Sequence, residues 1–292
     1  MKQQTVNSYL QTRYGKKLYK ISINAGFTCP NRDGTLGDRG CIFCSGSGSG
    51  DFAQDPSLSV TEQIEKGKSL IRAKLPRQGA YGYIAYFQAF TNTYAPIERL
   101  RTVYEEALNH PEVEILSIAT RPDCLGPEVL DLLSEMNARK PVWIELGLQT
   151  IHEQTATYIR RGYPLCVFDE AVQNLKARGI ETIVHVILGL PGESRKEMLQ
   201  TVDYVGKSGV DGIKLQLLHV LKGTDLADAY LADSFKCLTM EEYTELVRDA
   251  LALLPEDIVI HRMTGDGDKK LLIAPKWSMD KKRVLNRLHE LL

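Results

Sequence analysis

Cys29, Cys41 and Cys44 form a C-x11-C-x2-C pattern on a glycine-rich loop, and no second C-x2-C pair occurs in the 292 residues. Three thiolates on one loop can hold three irons of a four-iron cluster and leave the fourth iron open to a second ligand. A structural zinc site asks instead for four protein ligands, commonly two close pairs. The missing pair favours the open 4Fe-4S cluster, with a zinc knuckle completed by a distant histidine as the alternative. Cys124, Cys166 and Cys237 are scattered singly, as inert cysteines usually are. Six cysteines so distributed make no disulfide framework, and a reducing cytoplasm fits best.

Other reactive side chains stand near the ends of apolar runs of strand type. Gln88 ends one run, with Thr91 and Asn92 just beyond it. Glu145 and Gln149 end another, followed at 158–162 by the paired arginines Arg160 and Arg161. His185 lies in a third, which closes on Gly189, Leu190, Pro191, Gly192 and Glu193. Each has a plainer reading. Glu145 and Gln149 could be interior polar positions, the arginines a solvated helix end, and His185 a satisfied core histidine. Gly189 and Gly192 suit any tight strand-to-helix turn.

Strand patterns at 17–25, 82–90, 114–120, 142–149, 182–190 and 212–219 alternate with helical periods. In the first, Tyr19, Ile21 and Ile23 alternate with Lys20, Ser22 and Asn24. Ser59 and Glu62 have the form of a capping box opening a helix to about Leu75, and Thr239 and Glu242 open another. Pro96 and Pro127 suit first helical positions. Phe168, Ala171, Val172 and Leu175 make one apolar stripe that Gly179 stops. Starts recur at about thirty residues, the length of one βα unit. The pattern predicts an α/β fold, a partial (β/α)6 TIM-type barrel with a C-terminal strand and helix extension; a flat doubly wound sheet is the alternative. Residues 1–235 would form the core, including the cysteine loop 28–52, and 236–292 the extension, with a strand at 257–262. Residues 45–50, alternating serine and glycine, read as a flexible loop beside the cluster. Barrel ligands gather where strands end, at the C-terminal mouth.

The cysteine loop, with Phe43 just before its last cysteine, resembles the cluster loop of radical S-adenosylmethionine (SAM) enzymes. The stretch from Glu145 to Thr150 resembles the E-x-G-x-Q-S/T signature of the methylthiotransferase and Elongator-like branch. Residues 185–193 resemble a GLPGE/T signature shared with the coproporphyrinogen dehydrogenases. Closer still is the YhcC/YtqA-type family, on residues 24–34, on Thr120, Arg121, Pro122 and Asp123, and on 261–267; its C-x11-C-x2-C spacing agrees with this chain. The resemblance implies that Cys29, Cys41 and Cys44 hold the 4Fe-4S cluster, whose open iron takes the amino and carboxylate groups of S-adenosyl-L-methionine. Reductive cleavage would then release a 5′-deoxyadenosyl radical. It also implies that Gln149 touches the methionyl or ribose part, Arg161 the carboxylate, His185 the ribose and Glu145 the amino group. Phe43 and the backbone near Leu190 would flank the adenine, and Gln88 is a SAM contact by position. An electron donor such as flavodoxin or ferredoxin would supply the electron.

The chain carries 36 basic and 37 acidic side chains, a formal charge of −1, so bulk charge does not draw it to nucleic acid. Local basic groups occur: Arg13, Lys16, Lys17, Lys20, Arg32 and Arg39 early, and seven between Lys269 and Arg287, beside Trp277. Such faces with nearby aromatics could bind RNA phosphates and stack an unpaired base; a solvated face on a docking helix is the alternative. The resemblance implies tRNA, at the anticodon wobble uridine, with a carboxymethylaminomethyl group at C5 converted to aminomethyl. Hydrogen would leave the carbon beside the amine, and oxidation to an imine would precede hydrolysis. A small-molecule substrate and a non-catalytic zinc-stabilised RNA- or protein-binding module are the alternatives. No signal segment opens the chain, and no apolar run is long enough to span a membrane.

Overall fold

The six expected strands lie side by side in chain order, each parallel to the next. They are β1 (Lys17–Ile23), β2 (Tyr81–Phe87), β3 (Val113–Thr120), β4 (Val142–Gln149), β5 (Glu181–Leu188) and β6 (Gly212–Leu217). The short β7 (Val220–Leu221) leaves this sheet, and β8 (Val259–Arg262) joins β6 in parallel as the seventh strand. β7 pairs instead with β9 (Leu272–Ala274), antiparallel, beyond the end of β6. The sheet curls into a half-barrel whose edges, β1 and β8, are not paired with each other among the described residues. A computed structural model provides these coordinates and describes residues 2–48, 50, 53–75, 79–265 and 267–292. Ser49, Asp51 and Phe52 of the cysteine loop and Asp266 of the 261–267 stretch lie outside the described residues.

The helices α1 (Val6–Tyr14), α2 (Val60–Ile71), α3 (Ile97–Asn109), α4 (Pro127–Arg139), α5 (Glu153–Tyr158), α6 (Leu165–Ala177) and α7 (Arg195–Lys207) precede β6. α8 (Asp225–Leu231), α9 (Met240–Leu253) and α10 (Lys281–Leu291) follow β7. Capping boxes at Ser59 and Thr239 open α2 and α9 as the spacing predicts, and a third at Ser194 opens α7. α2 ends at Ile71, short of Leu75, and a 3-10 turn continues it to Lys74. Pro127 is the first residue of α4. Pro96 instead caps α3 from outside, because its ψ of 142° is extended rather than helical. Among the described residues, no helix is long and apolar enough to cross a membrane.

Two faces of the strands do different jobs. Ile21, Ile23, Phe87, Leu116, Ile118, Ile144 and Val184 point outward and bury against the helices in the main core. That core runs on into α9 and α10 through Val247, Leu251, Val284 and Leu288. The inward positions nearest the strand starts, Leu18, Ile84, Ile115, Trp143 and Ile183, bury against Leu10 of α1. α1 therefore plugs the N-terminal end of the half-barrel, and the Ile260 amide of β8 donates to the Gln4 carbonyl just before it. The C-terminal end is left for ligands.

The serine- and glycine-rich stretch after Cys44 is not a free linker. The Phe90 amide donates to the Gly48 carbonyl at 2.9 Å. A Cβ on Gly48 would meet the Phe90 ring at 2.4 Å, and one on Gly50 would meet Ala89 Cβ at 2.6 Å. These glycines let the loop lie against the end of β2.

Candidate active site

The loop after β1 crosses the mouth of the half-barrel and is tied down at several points. The Ile42 amide donates to the Ile159 carbonyl at 3.3 Å, and the Leu226 amide at the start of α8 donates to the Ile42 carbonyl at 2.9 Å. Asn31 Nδ2 donates to the Arg160 carbonyl at 2.7 Å and approaches Cys41 Sγ at 3.4 Å. Arg32 donates to the carbonyls of Cys44 and Ser45 at 2.9 and 2.7 Å. Ile42 and Phe43 pack with Ile159, Ile187, Leu190, Leu218 and Leu226 in an apolar cluster at the rim.

Cys29, Cys41 and Cys44 form no disulfide and line one cavity. With them stand Phe43, Gln88, Glu145, Gln149, Arg161 and His185, so strand ends far apart in sequence meet at one mouth. Leu190 does not line this cavity; it is buried behind Phe43 in the rim cluster. Among the described residues, only Glu65, His110 and Glu112 bring three candidate ligand atoms within 4.8 Å of one another. At least one pair of the three cysteine sulfurs is therefore farther apart than around a single zinc, where bonds of 2.3 Å put sulfurs roughly 3.8 Å apart. A cluster whose irons each take one thiolate fits such a spread set. Burial raises the Cys41 thiol to about 12, helped by the neighbouring Cys44. Thiolate there needs a cation at hand, which a bound cluster supplies.

Backbone strain concentrates here. Ala89, Phe90, Gln149 and Arg160 have φ of 79°, 61°, 70° and 58°, the left-handed region that non-glycine residues avoid. Three of them line the cavity and the fourth carries the carbonyl that receives Asn31. Gln149 also buries its Oε1 without a partner among the described residues. Strain and an orphaned polar atom on one residue at a strand end are the features that cluster at functional sites.

The two arginines divide their roles. Arg160 points out to Asp225, which also takes Arg39. Arg161 is buried and donates to the carbonyls of Thr150 and Tyr163, at 2.6 and 3.0 Å, and to Glu153 at 3.0 Å. Tyr163 lies between two guanidinium groups, Arg161 at 4.7 Å and Arg121 at 5.3 Å from its ring centre. Arg121 is itself buried, held by both carboxylate oxygens of Asp123 at 2.9 and 2.7 Å, and lines the cavity. Arg121 and Asp123 both lie in the 120–123 stretch that carries the family resemblance, and that stretch is the sequence signal for Arg121. Tyr163 carried no signal.

At the floor of the cavity Glu145 is surrounded by donors. Lys20 reaches its Oε1 at 2.6 Å and Ser117 at 2.8 Å, while Lys214 and His185 Nε2 reach Oε2, the latter at 2.8 Å. The other ring nitrogen of His185, Nδ1, faces Gln216 Nε2 at 3.0 Å. Glu145 is buried; burial alone would raise its carboxyl, but Lys20, Lys214 and His185 together hold it well below the usual range. Burial, reinforced by Lys214, lowers His185 to about 4 despite the pull of Glu145. Its neutral ring thus donates to Glu145 and accepts from Gln216.

This gives the first expected result. A histidine lowered from its unfolded value to about 4 stays neutral in the fold while the unfolded chain takes up a proton. Stability should therefore fall as pH drops from about 6.5 to 4, by roughly 2–3 kcal/mol for this group. Urea unfolding of His185→Gln should show a flatter acid limb than the parent; identical limbs would contradict the assignment.

A parallel half-barrel with three thiols on the loop after its first strand, opening on one cavity, is the architecture of radical SAM proteins. The radical SAM superfamily pattern matches residues 29–205, and that of the radical SAM C-terminal domain matches 210–292. YtqA of Bacillus subtilis is 44% identical over 98% of this chain and 88% of its own length, and YhcC of Escherichia coli 39% over 94% and 88%. The chain belongs to the radical SAM superfamily, in the YtqA/YhcC family. A more distant relative, the tRNA uridine(34) acetyltransferase of Methanocaldococcus jannaschii, is 27% identical over 52% of this chain and 28% of its own length. The fold is shared with the archaeal Elp3 of Methanocaldococcus infernus, at a TM-score of 0.69 and 16% identity, over 94% of this chain and 63% of that one. The cofactors of the superfamily, a 4Fe-4S cluster and SAM, fit the spread cysteines and the cavity beside them.

Proposed function

We propose that this radical SAM enzyme modifies tRNA in the cytoplasm, converting the carboxymethylaminomethyl group at C5 of the wobble uridine to aminomethyl. The observation that carries the reading is the similarity, over 52% of the chain, to an enzyme named for uridine 34 of tRNA. Cys29, Cys41 and Cys44 hold the cluster. Gln149, Gln88 and Phe43 contact SAM, Arg161 orients its carboxylate with Arg121 close by, and the rim beside Leu190 flanks the adenine. Glu145 and His185 form the polar floor beneath it. Reduced by an electron donor such as flavodoxin or ferredoxin, the bound pair supplies a hydrogen-abstracting 5′-deoxyadenosyl radical. The open edge between β1 and β8 suits a base presented from a large substrate, and an unpaired anticodon base costs little to present.

The basic residues bear on this unevenly. The early group is dispersed: Arg13 pairs with Glu181, Lys16 with Glu114, Lys20 with Glu145 and Arg39 with Asp225. Trp277 is no stacking platform, since its Nε1 donates to the Leu238 carbonyl at 3.0 Å and its ring packs 5.7 Å from Tyr243. Lys269 and Lys270, exposed in the turn before β9, and Lys282 and Arg283, exposed in the first turn of α10, offer basic side chains to a phosphate backbone. Binding of tRNA to the reconstituted protein should therefore weaken steeply with salt, and Lys269→Glu/Lys270→Glu should reduce both affinity and salt slope. No tRNA affinity at low salt would remove the proposal in favour of a small-molecule substrate.

A further inference from the structure

The floor of the cavity holds more positive charge and more donors than its one carboxylate can take. Glu145 receives Lys20, Lys214, Ser117 and His185. A carboxylate offers about four lone-pair sites. Lys214 is 4% exposed, yet among the described residues only Glu145 accepts from it, and its ammonium otherwise rests 4.8 Å from the Tyr86 ring. Lys20 likewise has Glu145 as its acceptor and lies 4.6 Å from the same ring, with its side chain 30% exposed at the open edge. Each ammonium carries three donors. Two ammonium groups on one buried carboxylate leave a net positive charge with donors to spare, and such a charge is stable only when paired.

We propose that Lys20 and Lys214 form a binding site for the carboxylate of the substrate, with Glu145 facing the neighbouring ammonium. The inference rests on the tRNA reading and adds the recognition that reading lacks. A glycine-like group, with an amine one carbon from a carboxylate, complements a carboxylate flanked by ammonium groups. Tyr86, Glu145 and His185 line the cavity and Lys214 lies behind Glu145, while the Lys20 side chain is 30% exposed, so such a group reaches the pair through Lys20. A backbone phosphate is the other anion a nucleic acid could offer. It is fixed to its chain and cannot descend to a floor inside the strands, whereas a carboxylate on a flexible base substituent can. Burial, with Lys20 and Arg262 nearby, lowers Lys214 to about 7, so an added anion would restore its proton.

Equilibrium binding of two tRNAs to the full-length protein tests this, one carrying carboxymethylaminomethyluridine and the other aminomethyluridine. The parent should prefer the carboxylate-bearing tRNA by at least tenfold. Lys20→Met should bring the two within about twofold by weakening only the first. An unchanged preference in Lys20→Met overturns the proposal, as does a parent that binds both equally. Lys214→Met is best made with Glu145→Gln, so that no lone buried charge decides the folding. N-ethylglycine supplies an arm that does not need RNA. Its saturation-transfer NMR signal should appear with the parent and vanish with Lys20→Met; equal signals overturn the carboxylate site. Loss of all tRNA affinity together with a retained N-ethylglycine difference would sink the RNA reading alone.

Discussion

Alanine at Cys29, Cys41 or Cys44 is expected to abolish the cluster. Iron in anaerobically reconstituted protein should fall from about four per chain to near zero, and SAM cleavage with it. The same change at Cys124, Cys166 or Cys237 should leave iron content intact. Cys124 is the discriminating control, because it lies close enough to Cys29 and Arg121 to feel their charges. Burial raises its thiol to about 12, so it stays protonated where the loop cysteines must ionise. The loop fixes all three ligands through separate anchors: Asn31 beside Cys41, Arg32 on the Cys44 carbonyl, and the Ile42 ladder to Ile159 and Leu226. Losing one thiolate leaves the others in place but the cluster without a third attachment. Iron unaffected in Cys41→Ala would contradict this account.

Sequence made the outer half of each strand legible and concealed the inner half. Alternation in β1 separates Tyr19, Ile21 and Ile23 from Lys20 and Ser22, which ordinarily reads as core against solvent. In a half-barrel covered by helices the apolar side faces the helices, and the polar side faces the interior. Lys20 therefore points inward to Glu145, and Lys214 in β6 likewise, though period two alone cannot say which face is enclosed. The cysteines are readable from their spacing, whereas Gln149 and Arg161 are readable only through the family resemblance of the stretches that hold them. Glu145 was readable as a polar position but not its partners, which come from strands 125 and 69 residues away. The N-terminal plug had no signal. α1 is short, only Leu10 among its residues is buried, and its role depends on where the barrel happens to be open. Trp277 misled for a related reason, since an aromatic beside lysines looks the same in sequence whether it stacks on a base or on Tyr243.

Glu145→Ala should be the most damaging substitution outside the cluster, destabilising the fold by roughly 3–5 kcal/mol, the cost of stranding buried charge. Lys214 and Lys20 would lose their shared acceptor, and His185 Nε2 and Ser117 theirs. The size of the loss should depend on pH in a defined direction. With Glu145 present, Lys214 titrates at about 7, so it is charged in the fold at pH 6 and neutral at pH 9. Without the carboxylate its folded pKa drops further, and at pH 6 the fold must then hold neutral a group that the unfolded chain protonates. At pH 9 Lys214 is neutral in both folded proteins, so that part of the penalty vanishes. The difference in urea midpoint between parent and Glu145→Ala should therefore widen as pH falls from 9 to 6. Pairing Glu145→Gln with Lys214→Met should recover most of the loss at pH 6, because both halves of the buried pair are then removed. A difference independent of pH, or no recovery in the double variant, would mean that Glu145 supports the barrel through packing, and that Lys20 and Lys214 are not held by its charge.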